Sequence, residues 1–463
     1  MGLIRTDLPP PPAWRREDAA VLAPALHRYV RVRDPIGHQV HTALAMLYLV
    51  CLPLAPALEA ISFALLVGYA LIRLPNTRWC YPPVIADRWV LAMLAWAAIH
   101  GLSILWSIDP HEGLTELKAF RVILLPLALW PVLDRPYWLI WSFLVGVLAM
   151  NGVQIAQLLG VLGQQLEGES RARALLHPIQ TGAFNLAAFL IYFATILRTR
   201  WTVAPASIRL LALLILGGLL AAAGLVASGS RGSWVAGGLL TPALWLFMTI
   251  RHREVRRTAI IVACSALVLG AVGWHFGGSY IRFRIENAQK HLDAAEQGDY
   301  ATGTGQRLMM WRWAGRFFLQ SPVWGQGAGS FRVLTRQTPE YAETLSRLPR
   351  VQKLVRETGK GDGRITAAHP HSAYLHVLYA TGVLGAIPFT ASLVILVVRT
   401  WRERGGARDH LFADALPWVL LAWLIGTQFD CYTLNGHGFG LLAFIAALTL
   451  PWRPSARRGM GVE

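Results

Sequence analysis

Apolar runs of about 17–25 residues, the length that crosses a hydrocarbon core, recur along nearly the whole chain. They fall near 38–54, 57–74, 88–106, 118–133, 137–162, 180–197, 208–228, 232–250, 258–276, 372–398, 412–430 and 437–452. The pattern predicts an all-α, polytopic membrane protein of about twelve transmembrane helices, since an isolated span in lipid must satisfy its backbone internally. The longest polar interruption, residues 277–370, reads as one long, mostly helical loop. It separates spans 1–9 (38–276) from spans 10–12 (371–452), with a polar segment 1–37 before them and a tail 453–463 after.

Composition agrees with lipid as the bulk solvent. The chain is 54% hydrophobic and only 15% charged, where an ordinary soluble domain is about 25% charged. The Arg- and Pro-rich start has no apolar core before about His38. The expectation is therefore insertion directed by the first span rather than by a cleaved leader. Cys51, Cys80, Cys264 and Cys431 lie in or beside different apolar segments, without metal-like spacing, and read as structural.

A formal net charge of +17 could suggest nucleic acid, but its placement points to membrane topology. Twelve spans put both ends on one side, and Arg5, Arg15, Arg16, Arg28, Arg31 and Arg33 set the first end in the cytoplasm. Connections then forced inside carry Arg73, Arg78, Arg135, Arg198, Arg251, Arg256, Arg399 and Arg402. The short outer connections hold few cations and several acids, among them Asp109, Glu112 and Glu116. The long loop is outside yet basic, with Arg282, Arg307, Arg312, Arg316, Arg332, Arg336, Arg347 and Arg350 among its cations. Long translocated loops escape the charge rule, so this charge implies anionic partners, either membrane headgroups or a ligand.

Within the loop, Leu308, Trp311, Gly315 and Phe318 share one stripe at helical spacing, predicting an amphipathic helix over 305–319 lying on the membrane surface. Arg307 sits at the edge of that stripe, while Arg312 and Arg316 point away. Gly325, Gly327 and Gly329 follow with no Walker-type Lys, which argues for a tight backbone turn and against a nucleotide site.

Three outer sites hold polar residues that lipid tolerates poorly. Arg231, in Ser228-Gly-Ser-Arg-Gly-Ser233, sits in a small-residue turn suited to an anion such as a phosphate, or to a headgroup. His369 and His371, in His-Pro-His where the loop re-enters the membrane, give too few ligands for a metal and read better as a general base. Asp430 either orients a base or substrate or caps a helix. No outer loop has an Asp-x-Asp pair, so the clamp on a leaving diphosphate falls to arginines. No metal or other cofactor is expected.

These residues resemble the bacterial O-antigen ligases of the O-antigen ligase/polymerase superfamily. His371-Ser372, nine residues, then Gly382-Val-Leu-Gly385 looks like the family's His-(Asn/Ser/Gln)-x9-Gly-x-x-(Gly/Thr/Tyr) signature. The run Arg307, Trp311, Ala314, Phe318, Pro322, Gly325 and Gly327 resembles its loop motif, and Ser230-Arg231-Gly232 its outer Arg turn. The resemblance implies a GT-C-type glycosyltransferase in the bacterial inner membrane, with both termini cytoplasmic and the site periplasmic. It implies transfer of an O-antigen glycan from undecaprenyl diphosphate to a sugar hydroxyl of lipid A–core, inverting and metal-independent. His371 is then the base, Arg231 and Arg307 bind the diphosphate, and His369 and Asp430 support them. Asp430 resembles a periplasmic acid important in the family.

Neighbouring readings are an O-antigen polymerase or a protein O-oligosaccharyltransferase, which differ in the acceptor. From another class, a lipid-linked glycan or anion transporter predicts paired mid-membrane ionisable groups. Arg121 and Asn185 are mid-span polar residues, but the two halves hold no matching pair.

Overall fold

The structure is a computed structural model that describes residues 19–161, 172–198, 205–252, 255–298, 300, 302–340, 369–402 and 412–450. Among these there is no strand. The longer helices are α1 (Ala19–Arg33), α2 (Pro35–Cys51), α3 (Pro56–Ile72), α4 (Arg88–Ser103), α5 (Pro110–Leu117), α6 (Pro136–Leu158) and α7 (Pro178–Arg198). They continue as α8 (Pro205–Ala227), α9 (Arg231–Arg251), α10 (Arg256–Glu296), α11 (Gly303–Gln320), α12 (Ala373–Arg402), α13 (Leu416–Gly426) and α14 (Gly436–Leu448). Proline opens α2, α3, α5, α6, α7 and α8, where its missing N–H has no intrahelical partner to lose.

Among the described residues six helices are long and apolar enough to cross a membrane, and a seventh span results if the pair Pro56–Ile72 and Leu74–Cys80, bent by 65°, counts as one. The expected spans at 38–54, 412–430 and 437–452 appear as shorter helices, and 118–133 is wound differently. There Lys118–Ile123 and Trp130–Val132 are 3-10 turns around a six-residue α-helix. Pro126 and Pro131 lie in this stretch, and each removes a backbone donor and crowds the preceding turn. Helix α10 runs on through residue 277 to Glu296. At about 1.5 Å per residue it is far longer than the roughly 30 Å hydrocarbon core, so it carries the chain from the apolar run into the loop without a break.

Antiparallel α4 and α12 form the spine beneath the site. Trp96 of α4 packs its ring within 4.6–6.0 Å of Phe120, Phe389 of α12 and Phe439 of α14. At one end Asp87 caps α4, accepting from Trp89 N at 2.9 Å. The same carboxylate takes both Nη atoms of Arg399, at 3.0 and 2.6 Å. This bidentate pair ties the far end of α12 to the start of α4.

Helix α12 is broken at Gly382, whose φ of 61° and ψ of −160° leave the helical region. The loop threads into that break. Gln326 N donates to Tyr379 O at 2.7 Å, Gly327 N to Ala380 O at 2.9 Å, and Val383 N to Pro322 O at 2.9 Å. Gly325, Gly327 and Gly329 all have positive φ. A Cβ on Gly325 would strike the Ala380 carbonyl, and one on Gly382 the Val323 carbonyl. The Gly-rich turn foreseen in the sequence is thus a backbone splice between loop and helix. It is fastened to α4 as well, since Ala328 N donates to Ser103 Oγ at 3.1 Å.

The mid-span polar residues have structural partners. Arg121 donates to Glu59 at 2.8 Å, and buried Asn185 donates to Gln154 Oε1 and Thr181 O, both at 3.1 Å. All four cysteines are free; Cys264 is exposed and the other three are buried.

Candidate functional site

Helix α11 supplies one wall of the site, and its orientation corrects the sequence reading. The buried face is Met309, Met310, Trp313, Ala314 and Phe317, packed on Phe331 and on Tyr379 and Ala380 of α12. It seats on the bundle through these residues and not through the stripe of Leu308, Trp311, Gly315 and Phe318. The helix is apolar on two faces, and periodicity alone could not say which would meet α12. Leu308 and Trp311 instead line a cavity of about 500 Å³ together with Arg307. Arg312 and Arg316 turn away as expected, to Tyr300 and Glu340.

The opposite side of this cavity is the turn before α9. Gly229 takes a φ of 61°, which lets Ser228-Gly-Ser230 reverse the chain and start α9 at Arg231. Arg231 enters the cavity and donates from Nη1 to Thr304 Oγ1 at 3.1 Å. Space above Gly232, expected to admit a ligand, is taken by the Phe429 ring, which a Cβ there would approach to 2.9 Å. Ala288, His291 and Leu292 of α10 complete the lining with Phe429. Two guanidinium groups from separate elements therefore share one cavity, a setting for a polyanion.

Next to Phe429 in the chain, Asp430 meets His371. The Asp430 Oδ1 lies 3.2 Å from His371 Nδ1 and also accepts from Cys431 N at 2.9 Å. An ionised carboxylate only accepts, so neutral His371 carries its proton on Nδ1 and keeps its lone pair on Nε2. His371 has a φ of 49°, uncommon for a residue with a Cβ. Its backbone N–H donates to His369 Nδ1 at 3.3 Å, and the two rings stand edge to face at 4.6 Å. Burial, with the His371 charge second, pushes His369 down to about 3, so it stays neutral and accepts.

The structure thus gathers every expected site residue at one end of the bundle: Arg231 and Arg307 in the cavity, and His371, His369 and Asp430 beside its Phe429 wall. His369, His371 and Asp430 also offer three metal-ligand atoms within 4.8 Å of one another. The acid that His-Pro-His lacked in sequence is supplied from 59 positions away. Thr304, His291 and Phe429 escaped the sequence reading, because none stands in a motif and only folding brings them here. The Arg307 charge also acts on Tyr432, opposing the rise that burial imposes on that hydroxyl.

Fold and site together define a polytopic helical membrane protein with a basic, imidazole-bearing site where a loop is spliced into a broken helix. Residues 216–390 match the family model described as O-antigen ligase, so this stretch of the chain is similar to the O-antigen ligases. The matched stretch contains Arg231, Arg307, His371 and Gly382, and ends before Asp430. No curated protein matches the chain.

Proposed function

We propose that the chain is a glycosyltransferase that moves an O-antigen glycan en bloc from undecaprenyl diphosphate onto a sugar hydroxyl of lipid A–core. The observation that carries this reading is the adjacency of an Asp430-oriented imidazole to a cavity holding two arginines. His371 Nε2 takes the proton of the acceptor hydroxyl, and the freed oxygen attacks the anomeric carbon from the face opposite the leaving group. The bond from that carbon to the diphosphate breaks, and undecaprenyl diphosphate departs with its charge met by Arg231 and Arg307. One displacement inverts the anomeric centre, and the arginines do what a divalent ion does in metal-dependent sugar transfer.

In this reading the twelve apolar runs are spans of a GT-C-type bundle in the bacterial inner membrane, with both termini cytoplasmic. The site and the loop 277–370 face the periplasm. Supporting this, the Arg399–Asp87 pair and His371 stand at opposite ends of α12, as a cationic inner end and a catalytic outer end require.

The test supplies purified protein in detergent, without any gradient, with lipid-linked glycan and one acceptor at a time. Glycan appearing on lipid A–core is the expected result. Transfer only to a second lipid-linked glycan, or only to a pilin-like protein, would reassign the acceptor, and absence of any turnover would favour a transporter.

A further inference from the structure

A second cluster of titratable side chains lies in the spine, built from none of the residues assigned above. His100 near the end of α4, Glu116 of α5 and His376 in the first turn of α12 converge there. His100 and His376 are 0% exposed and Glu116 is 7% exposed. Glu116 Oε2 stands 3.3 Å from His100 Nε2 and 3.4 Å from His376 Nε2. The three ligand atoms lie within 4.8 Å of one another.

Two readings fit such distances, and hydrogen-bond geometry separates them. If the imidazoles simply donated to the carboxylate, their N–H vectors would point at its oxygen. His100 and His376 pair with Glu116 at ion-pair distance, yet no ring N–H of either points along the line to the carboxylate oxygen, and Glu116 Oε2 finds no well-directed donor. Buried groups left so are costly, and the surroundings offer no relief. The His100 ring lies 4.8 Å from Phe120, and that of His376 5.1 Å from Tyr379. Lone-pair-bearing atoms that approach this closely off the donor line have the spacing of ligands around a common centre. With bonds of 2.0–2.1 Å, the edge of a zinc tetrahedron is about 3.3 Å, and both measured His–Glu separations match it.

We propose that His100, Glu116 and His376 form a buried site for a divalent transition-metal ion of the zinc type. Two neutral imidazoles and one carboxylate suit that ion, and a fourth position remains for water. The ion would satisfy the buried carboxylate and both imidazoles at once and cross-link α4 and α5 to the first turn of α12. The Arg399–Asp87 pair already ties the other end of the α4–α12 couple, so the metal would fasten the end that carries His371. Its role is structural and asks nothing of the transfer chemistry.

The test uses the full-length protein in detergent, loaded with Zn²⁺, desalted and assayed for bound metal. About one zinc per chain is expected in the wild type, lost in Glu116→Gln and His376→Gln and kept in His371→Ala. Loading with Co²⁺ should give the visible bands of a four-coordinate ion. Where a variant fails to fold, the wild type still decides: its melting temperature should rise with Zn²⁺ and fall again on chelation. A wild type that retains no metal and melts unchanged overturns the proposal. So does metal lost in His371→Ala but kept in both other variants, which would assign it to the His369, His371 and Asp430 group.

Discussion

His371 Nδ1 lies 3.2 Å from Asp430 Oδ1, joining a left-handed residue at the loop's re-entry to a turn that follows a different helix. The contact fixes both the tautomer and the direction of the imidazole. Asp430→Asn removes the charge that favours the imidazolium formed during transfer. Turnover should fall by about 100-fold or more, with donor KM little changed. A raised KM at unchanged kcat would instead make Asp430 a binding residue.

His371→Ala should abolish transfer while the protein still binds donor lipid. His371→Asn is the companion variant, because Asn tolerates left-handed backbone and offers no base. Wild-type rates in either would remove His371 from the mechanism.

Arg231→Ala and Arg307→Ala should each weaken donor binding by roughly 10- to 100-fold, the worth of about 1.5–3 kcal/mol for a charged hydrogen bond. Displacement of undecaprenyl diphosphate measures this. Lysine at either position should recover only part of the loss, since it lacks the bidentate fork.

Gly382→Ala places a Cβ against the Val323 carbonyl at a backbone φ of 61°. The strain should cost about 1–3 kcal/mol and appear as a lower melting temperature in detergent, with faster proteolysis of the loop. An unchanged melting temperature would mean that the splice into α12 does not stabilise the fold.

His369 is held neutral, with a folded value of about 3 against about 6.5 in an unfolded chain. As pH falls below 6.5 the unfolded chain takes up the proton first, so this contribution to stability is full above 6.5 and is lost towards 3. Melting temperature should drop between about pH 7 and pH 4, and His369→Gln should drop less steeply. Parallel slopes would show that His369 does not carry the effect.

Much of the candidate site was legible in the sequence because its parts sit in local motifs. Arg231 stands in a small-residue turn, Arg307 on a recognisable helix, and His371 in a spaced signature. The Asp430 partnership was open, since 59 residues separate two side chains whose meeting depends on how α13 ends. Helix α11 was legible as a helix but not in its facing, because both of its apolar stripes obey the same period. Apolar length gave the membrane class. It could not register the 3-10 winding at 118–132, where two prolines act on backbone hydrogen bonds and leave hydropathy untouched.

The splice of Pro322–Gly327 into the break of α12 ties the α11 wall of the cavity to that helix through its backbone. Lifting α11 would strand the carbonyls of Tyr379 and Ala380 and unseat Trp313 and Phe317 at the same time. The remaining lining comes from the turn before α9 and from Ala288, His291 and Leu292 of α10, so the shape of the cavity rests on where α9 and α10 sit against a tied α11.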